Sequence, residues 1–207
     1  MFHRVASVAV VVAVISLMLG AGGSRTSPRL RPPAIDPAIA GAKAVEQYDA
    51  NKDGKISGAE LDKAPALKVA IARIDTSGAG EITAQKIAAR IKAWQESKLG
   101  RMSLSCTVLH NGKPLADAEV KFVPETFLGE NMKPAVGKTD TNGMAMLSIP
   151  TTGRDDPPGV APGFYRVEIA KSGENIPAKY NSETTLGQEV ALDAPELMQG
   201  IKFDLKY

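Results

Sequence analysis

The feature that most constrains this chain is a twelve-residue segment that returns, without a gap, 26 positions later. Residues 49–60 read DANKDGKISGAE and residues 75–86 read DTSGAGEITAQK. Asp75 aligns with Asp49, Gly80 with Gly54, Ile82 with Ile56 and Thr83 with Ser57. A repeat on this scale marks one supersecondary unit used twice.

The first copy carries chemistry in its residue order. It fits D-x-[DN]-x-[DN]-G-x5-E at each fixed place, through Asp49, Asn51, Asp53, Gly54 and Glu60. Asp49, Asn51 and Asp53 put side-chain oxygens on alternate residues, and Gly54 makes the turn that brings the chain back. Lys55 offers its backbone carbonyl, Ser57 sits where water completes the shell, and Glu60 closes the site with two oxygens. Oxygen donors alone suit calcium rather than zinc or copper. The metal ligands expected here are therefore Asp49, Asn51, Asp53, Lys55 and Glu60, with Ser57 less surely placed. The same residues also have a local structural reading. Ser57 to Glu60 is an S-x-x-E capping box, and Asp and Asn favour turns. The two readings are compatible, because the end of the loop starts the next helix.

The second copy breaks the ligand set. Ala79 stands at the third acidic place and Lys86 at the closing glutamate. An ammonium at that place opposes a cation, so this copy is expected to be structural, with Ile56 and Ile82 forming a short strand pair. Around the loops the apolar period is helical. Asp36-Pro37 starts a helix, with Ile39, Ala42, Val45 and Tyr48 near one face. Leu67, Ala70, Ile71 and Ile74 follow Pro65, and Ile87, Ile91 and Trp94 form the last stripe. On these residues, 36–98 resembles the EF-hand family, with the first hand intact and the second degenerate. The short spacing looks like compact tandem hands of secreted bacterial proteins, or the dockerin variant. The resemblance implies calcium in the first loop only. No Met lies between residues 36 and 98, which favours a structural or buffering site over a switch that opens a Met-rich groove.

From Ser103 the period changes to alternation. Leu104, Cys106 and Val108 face one way, as do Ala118, Val120 and Phe122, then Ala145, Leu147 and Ile149, then Tyr165, Val167 and Ile169. Val190 and Leu192 precede a break at Pro195, and Ile201, Phe203, Leu205 and Tyr207 close the chain. Asn142-Gly143 is a hairpin signal. This pattern describes a sandwich. The stretches CTVLHNGKPLADAEVKFVPE, GKTDTNGMAML, APGFYRVEIA, IPAKYNSETT and IKFDLKY resemble the carboxypeptidase regulatory-like domain, a transthyretin-like sandwich. The resemblance implies a non-catalytic domain of a secreted or surface protein. Transthyretin-like hydrolases use histidines and an arginine-bearing C-terminal motif that IKFDLKY lacks. Pilin-type relatives use a lysine in the first strand and an asparagine in the last, and both are missing here. Cys106 reads as a small buried hydrophobe, and His110 has no second histidine beside it, so no enzyme is expected. The loops at residues 125–135 and 151–163 are long and polar, and loops are where sandwiches bind, but the Asp155-Asp156 pair before two prolines reads first as a solvated turn.

Before all this, His3 and Arg4 precede an apolar run from 5 to 19, then Gly20 to Gly23. That order describes a secretory signal, and about 15 residues fall short of a span. No cysteine follows, which excludes lipid attachment there. Net charge of +2 and 5% aromatic residues argue against a nucleic-acid partner.

The expected fold is therefore multidomain, a small all-α EF-hand pair plus an all-β transthyretin-like or Ig-like sandwich. The expected boundaries are 1–23 signal peptide, 24–35 disordered linker, 36–98 EF-hand pair and 102–207 sandwich. The expected function is exported calcium binding in a structural or adhesive role at the cell envelope, in a secreted, periplasmic or cell-surface setting. A dockerin-like docking module recruiting a protein is the alternative. The expected ligand is Ca2+, and an envelope protein or a surface polymer is the partner class left open. Membrane contact is expected only through an uncleaved signal.

Overall fold

The computed structural model describes residues 31–150 and 157–207. The expected signal peptide, most of the linker and the Asp155-Asp156 pair lie outside the described residues. No helix among the described residues is long and apolar enough to cross a membrane.

Helix α1 (Pro37–Tyr48) begins where Asp36 Oδ1 accepts the amides of Ala38 and Ile39, both at 3.0 Å. This is the cap that Asp-Pro encodes. Strand β1 (Lys55–Ser57) and helix α2 (Ala59–Lys63) follow the first loop. Helix α3 (Pro65–Ile74) leads into the second loop, strand β2 (Glu81–Thr83) and helix α4 (Ala84–Glu96). Strands β1 and β2 pair antiparallel, with Ile56 opposite Ile82 and both fully buried. The stripe expected on α1 is displaced. Ile39 is 55% exposed and Ala42 is exposed, while Ala40, Gly41 and Ala44 are buried. The cause is close packing on α4: a Cβ on Gly41 would meet the Ala84 carbonyl oxygen at 2.2 Å. Only the smallest side chains allow that approach.

Eight strands follow: β3 (Leu104–His110), β4 (Lys113–Pro114), β5 (Glu119–Pro124), β6 (Ala135–Lys138), β7 (Met144–Leu147), β8 (Gly163–Ala170), β9 (Gly187–Val190) and β10 (Ile201–Leu205). One sheet centres on β3, which pairs parallel with β10 and antiparallel with β7 and β4. The other runs β6-β5-β8-β9, antiparallel throughout. The inward residues expected on β3, β5, β7, β8 and β10 are buried. Leu192 is not: it leaves β9 for the turn before helix α5 (Pro195–Gln199) and is 65% exposed.

An all-α module joined to an all-β sandwich is not what the chain forms. It is mixed α/β. The helical part contains its own β1–β2 ribbon, and helices α3 and α4 cover the outer side of β8 and β9. All four residues of β9 are buried, and both Phe164 and its neighbour Tyr165 are fully buried. A strand buried on both faces needs a layer on each side. Tyr165 packs against Phe122, 5.9 Å between ring centres. Phe164 points the other way, against Trp94 of α4 at 4.6 Å. At β9 the contact is backbone to backbone, since a Cβ on Gly187 would lie 2.2 Å from the Ala66 nitrogen. Buried residues of helices and sheets belong to one apolar cluster.

Candidate cation site

Helix α1 delivers Asp49 at its C-terminus, where the Asp49 amide still donates to the Val45 carbonyl at 2.9 Å. From there the loop wraps around its own carboxylates. Asp49 Oδ2 accepts the Gly54 amide at 2.7 Å, and Oδ1 accepts the amides of Lys52 at 2.6 Å and Asp53 at 3.2 Å. Gly54 has φ +84°, a turn that a side chain would strain. Asn51 Oδ1 accepts the Asp53 amide at 2.9 Å, Asn51 Nδ2 donates to Asp53 Oδ2 at 3.3 Å, and Asp53 Oδ1 accepts the Lys55 amide at 3.0 Å. Glu60, on α2, reaches back across the loop. Its Oε1 accepts the amides of Ala50 at 2.9 Å and Asn51 at 3.2 Å, and its Oε2 accepts that of Ser57 at 3.0 Å. The expected Ser57 capping box does not form: α2 is capped by Gly58 with no side-chain bond, and only the Glu60 carboxylate reaches the Ser57 amide. The amides of Ser57, Asn51 and Ala50 hold the Glu60 carboxyl below its usual range, although the nearby Asp49 charge works against them.

Asp49, Asn51, Asp53 and Glu60 thus meet in one hydrogen-bonded loop. Lys55 enters it through its amide, and its ammonium turns away to Glu81 Oε2 at 2.7 Å. The acids do not form a ready-made cage. Among the described residues no group of three His, Cys, Asp or Glu side chains is placed to hold an ion. The carboxylates are instead drawn onto loop amides. The donor set still fits a hard cation. A carboxylate oxygen has two acceptor positions, and Asp49 Oδ2, Asp53 Oδ1 and Glu60 Oε2 each accept a single bond from the chain. Asp49, Asn51, Asp53 and Glu60 are the residues that would hold such an ion.

Sequence reasoning missed what fixes the helical part to the sheets. Glu189 on β9 is fully buried. Its two oxygens take Arg73 Nε of α3 and Arg90 Nε of α4, each at 2.5 Å, and Trp94 Nε1 at 3.0 Å. Arg90 also holds Asp193 with two bonds of 2.7 Å, and Arg73 reaches Glu196 at 3.2 Å. On the other side of the loop, Tyr48 closes α1 and donates to Glu125 Oε2 at 2.7 Å. Glu125 is 1% exposed, with Arg166 Nε at 4.0 Å and Oε1 unpartnered. Burial raises the Glu125 carboxyl above its usual range, against the pull of Tyr48 and Arg166. The one local signal for this joint was Phe164 beside Tyr165, since adjacent large apolar residues on a strand point to opposite faces.

Cys106 is buried, which pushes its thiol up to about 12. His110 stacks on Tyr207 at 4.1 Å and faces Glu174 at 3.5 Å, on the exposed end of the sandwich. Neither stands in a nucleophile–base arrangement. Compared with protein-family models, with curated proteins and with solved structures, the chain matches none.

Proposed function

We propose that this is an exported calcium-binding protein in which an ion at residues 49–60 serves a structural or adhesive role at the cell envelope. The observation that carries this reading is the first loop. Asp49, Asn51, Asp53 and Glu60 converge on one stretch of backbone in the order that a hard cation requires. The export part rests on the order of residues 1–23. Tyr48 ties the helix that enters this loop to Glu125, and the Arg73–Arg90–Glu189 group ties α3 and α4, which flank the second loop, to β9. An ion that closes the loop therefore stabilises the helical layer where it lies, which suits a structural role. Docking of the dockerin kind has less support, because α3 and α4 already lay their apolar faces on the chain's own sheet.

With three carboxylates in the loop, affinity is expected near 10⁻⁵ to 10⁻³ M, on the order of extracellular calcium modules. Calorimetric titration of the full chain tests this. The full chain is required because helices and sheets share a core. The expected result is one calcium per chain, lost in Glu60→Gln. Absence of calcium-dependent heat, or equal heat in Glu60→Gln, rejects the reading.

A further inference from the structure

We infer that the second loop carries its own cation: the Lys86 ammonium stands in for a metal ion and closes residues 75–86 without one. The lysine does not swing out to solvent. Its Nζ donates to Asp75 Oδ1 at 2.7 Å, to the Glu81 carbonyl at 3.0 Å and to Ser77 Oγ at 3.4 Å. An ammonium has three donors, and it finds three oxygens. The identity of those oxygens carries the inference. In the repeat, Asp75 matches Asp49, Ser77 matches Asn51, and the Glu81 carbonyl matches that of Lys55. These are three of the places that ligate a metal in the first loop's pattern. Lys86 itself replaces the closing glutamate, so one side chain supplies both the closure and the charge.

The surroundings agree with a filled site. Asp75 has a side chain 2% exposed, and Lys86 is 27% exposed. Asp75 Oδ2 takes the Gly80 amide at 2.7 Å, and Oδ1 takes Ser77 Oγ at 2.5 Å as well as the ammonium. A carboxylate this deeply placed requires a partner, and Lys86 provides it permanently. The ammonium also fixes Glu81, whose backbone lies opposite Ser57 and whose side chain holds Lys55. The second loop thus braces the strand through which the first loop leaves. This last consequence concerns the calcium reading above, but the filled second loop stands without it.

The test is run on the full chain in chelator, so that its outcome does not depend on calcium in the first loop. Amine acetylation followed residue by residue should find Lys86 about tenfold or more slower than Lys92, which is exposed on the same helix. In Lys86→Gln the Gly80 amide should exchange faster with solvent, by a similar factor. In Lys86→Glu that protection should be lost as well, because a carboxylate there cannot replace the ammonium beside Asp75. Lys86 reacting as fast as Lys92, or Gly80 protection unchanged in Lys86→Gln and Lys86→Glu, overturns the inference. A failure of the calcium reading would show instead as absent heat in the wild-type titration, with these chelator measurements unaffected.

Discussion

Asp49 and Asp75 each accept the amide of the glycine five residues on, at 2.7 Å in both loops. The frames are the same, and the closing residues are opposite in charge. Glu60 spreads two oxygens over the amides of Ala50, Asn51 and Ser57. Lys86 sends one ammonium into the oxygens of Asp75, Ser77 and Glu81. In the first loop, the negative charge is held by loop amides. In the second the cation is covalently attached. The difference teaches that a degenerate copy of a metal loop keeps its shape when the substitution replaces the ion as well as a ligand. On the function proposed above, a pair joined through β1 and β2 would have one half that responds to metal and one that does not.

The change with the largest expected effect lies at the joint between α3, α4 and β9. Glu189→Ala leaves Arg73 and Arg90 without their shared buried counter-ion. Removing one partner of a buried ion pair costs about 3–5 kcal/mol. Urea unfolding in chelator should show that loss, with both loops released from the sheet together.

Calcium should sharpen the contrast by a smaller amount. At a hundredfold excess over its dissociation constant, an ion that binds only the folded state stabilises by about 2.7 kcal/mol. The corresponding rise in melting temperature should vanish in Glu60→Gln and survive in Lys86→Gln. The second variant should nevertheless weaken calcium binding by about fivefold, since β2 braces β1. Calorimetry on that variant measures the coupling between the loops.

Acid should separate them by the least amount and in a fixed order. Glu60 and Asp75 both have carboxyl groups held below their usual ranges, Glu60 first by the Ser57 amide and Asp75 first by Lys86. Each therefore contributes stability present above its unfolded-state pKa and lost as pH falls through its folded value. Asp75 is depressed much further, so the second loop should outlast the first. Glu125 has the opposite sign. Its raised carboxyl favours the folded state at low pH and loses that contribution as pH rises through its folded value. In chelator, the Ser57 amide resonance should titrate at higher pH than that of Gly80.

The shape of the first loop was legible in the sequence, because its turn and its side-chain to amide bonds are written locally. Asp49 to Glu60 and the 26-residue repeat needed only residue order, and the sandwich strands needed only alternation. The joint between layers was not legible. Glu189, Arg73 and Arg90 are charged, and charged residues read as solvated faces unless their partners are known. Those partners lie 116 and 99 positions apart in the chain. Gly41 and Gly187 look like weak points of their elements, yet each is where two backbones touch. For that reason the expected division into an all-α and an all-β part gave way to a mixed fold with helices laid on a sheet. Likewise Lys86 read as a veto on metal, and its three oxygen partners appear only when the loop is folded.

The contrast between the loops is tested most directly by residue-level amide exchange on the full chain, with and without millimolar calcium. Gly54 and Ile56 in the first loop should gain protection with the ion. Gly80 and Ile82 should already be protected in chelator and change little. Equal gains in both loops, or no gain in either, would contradict the account.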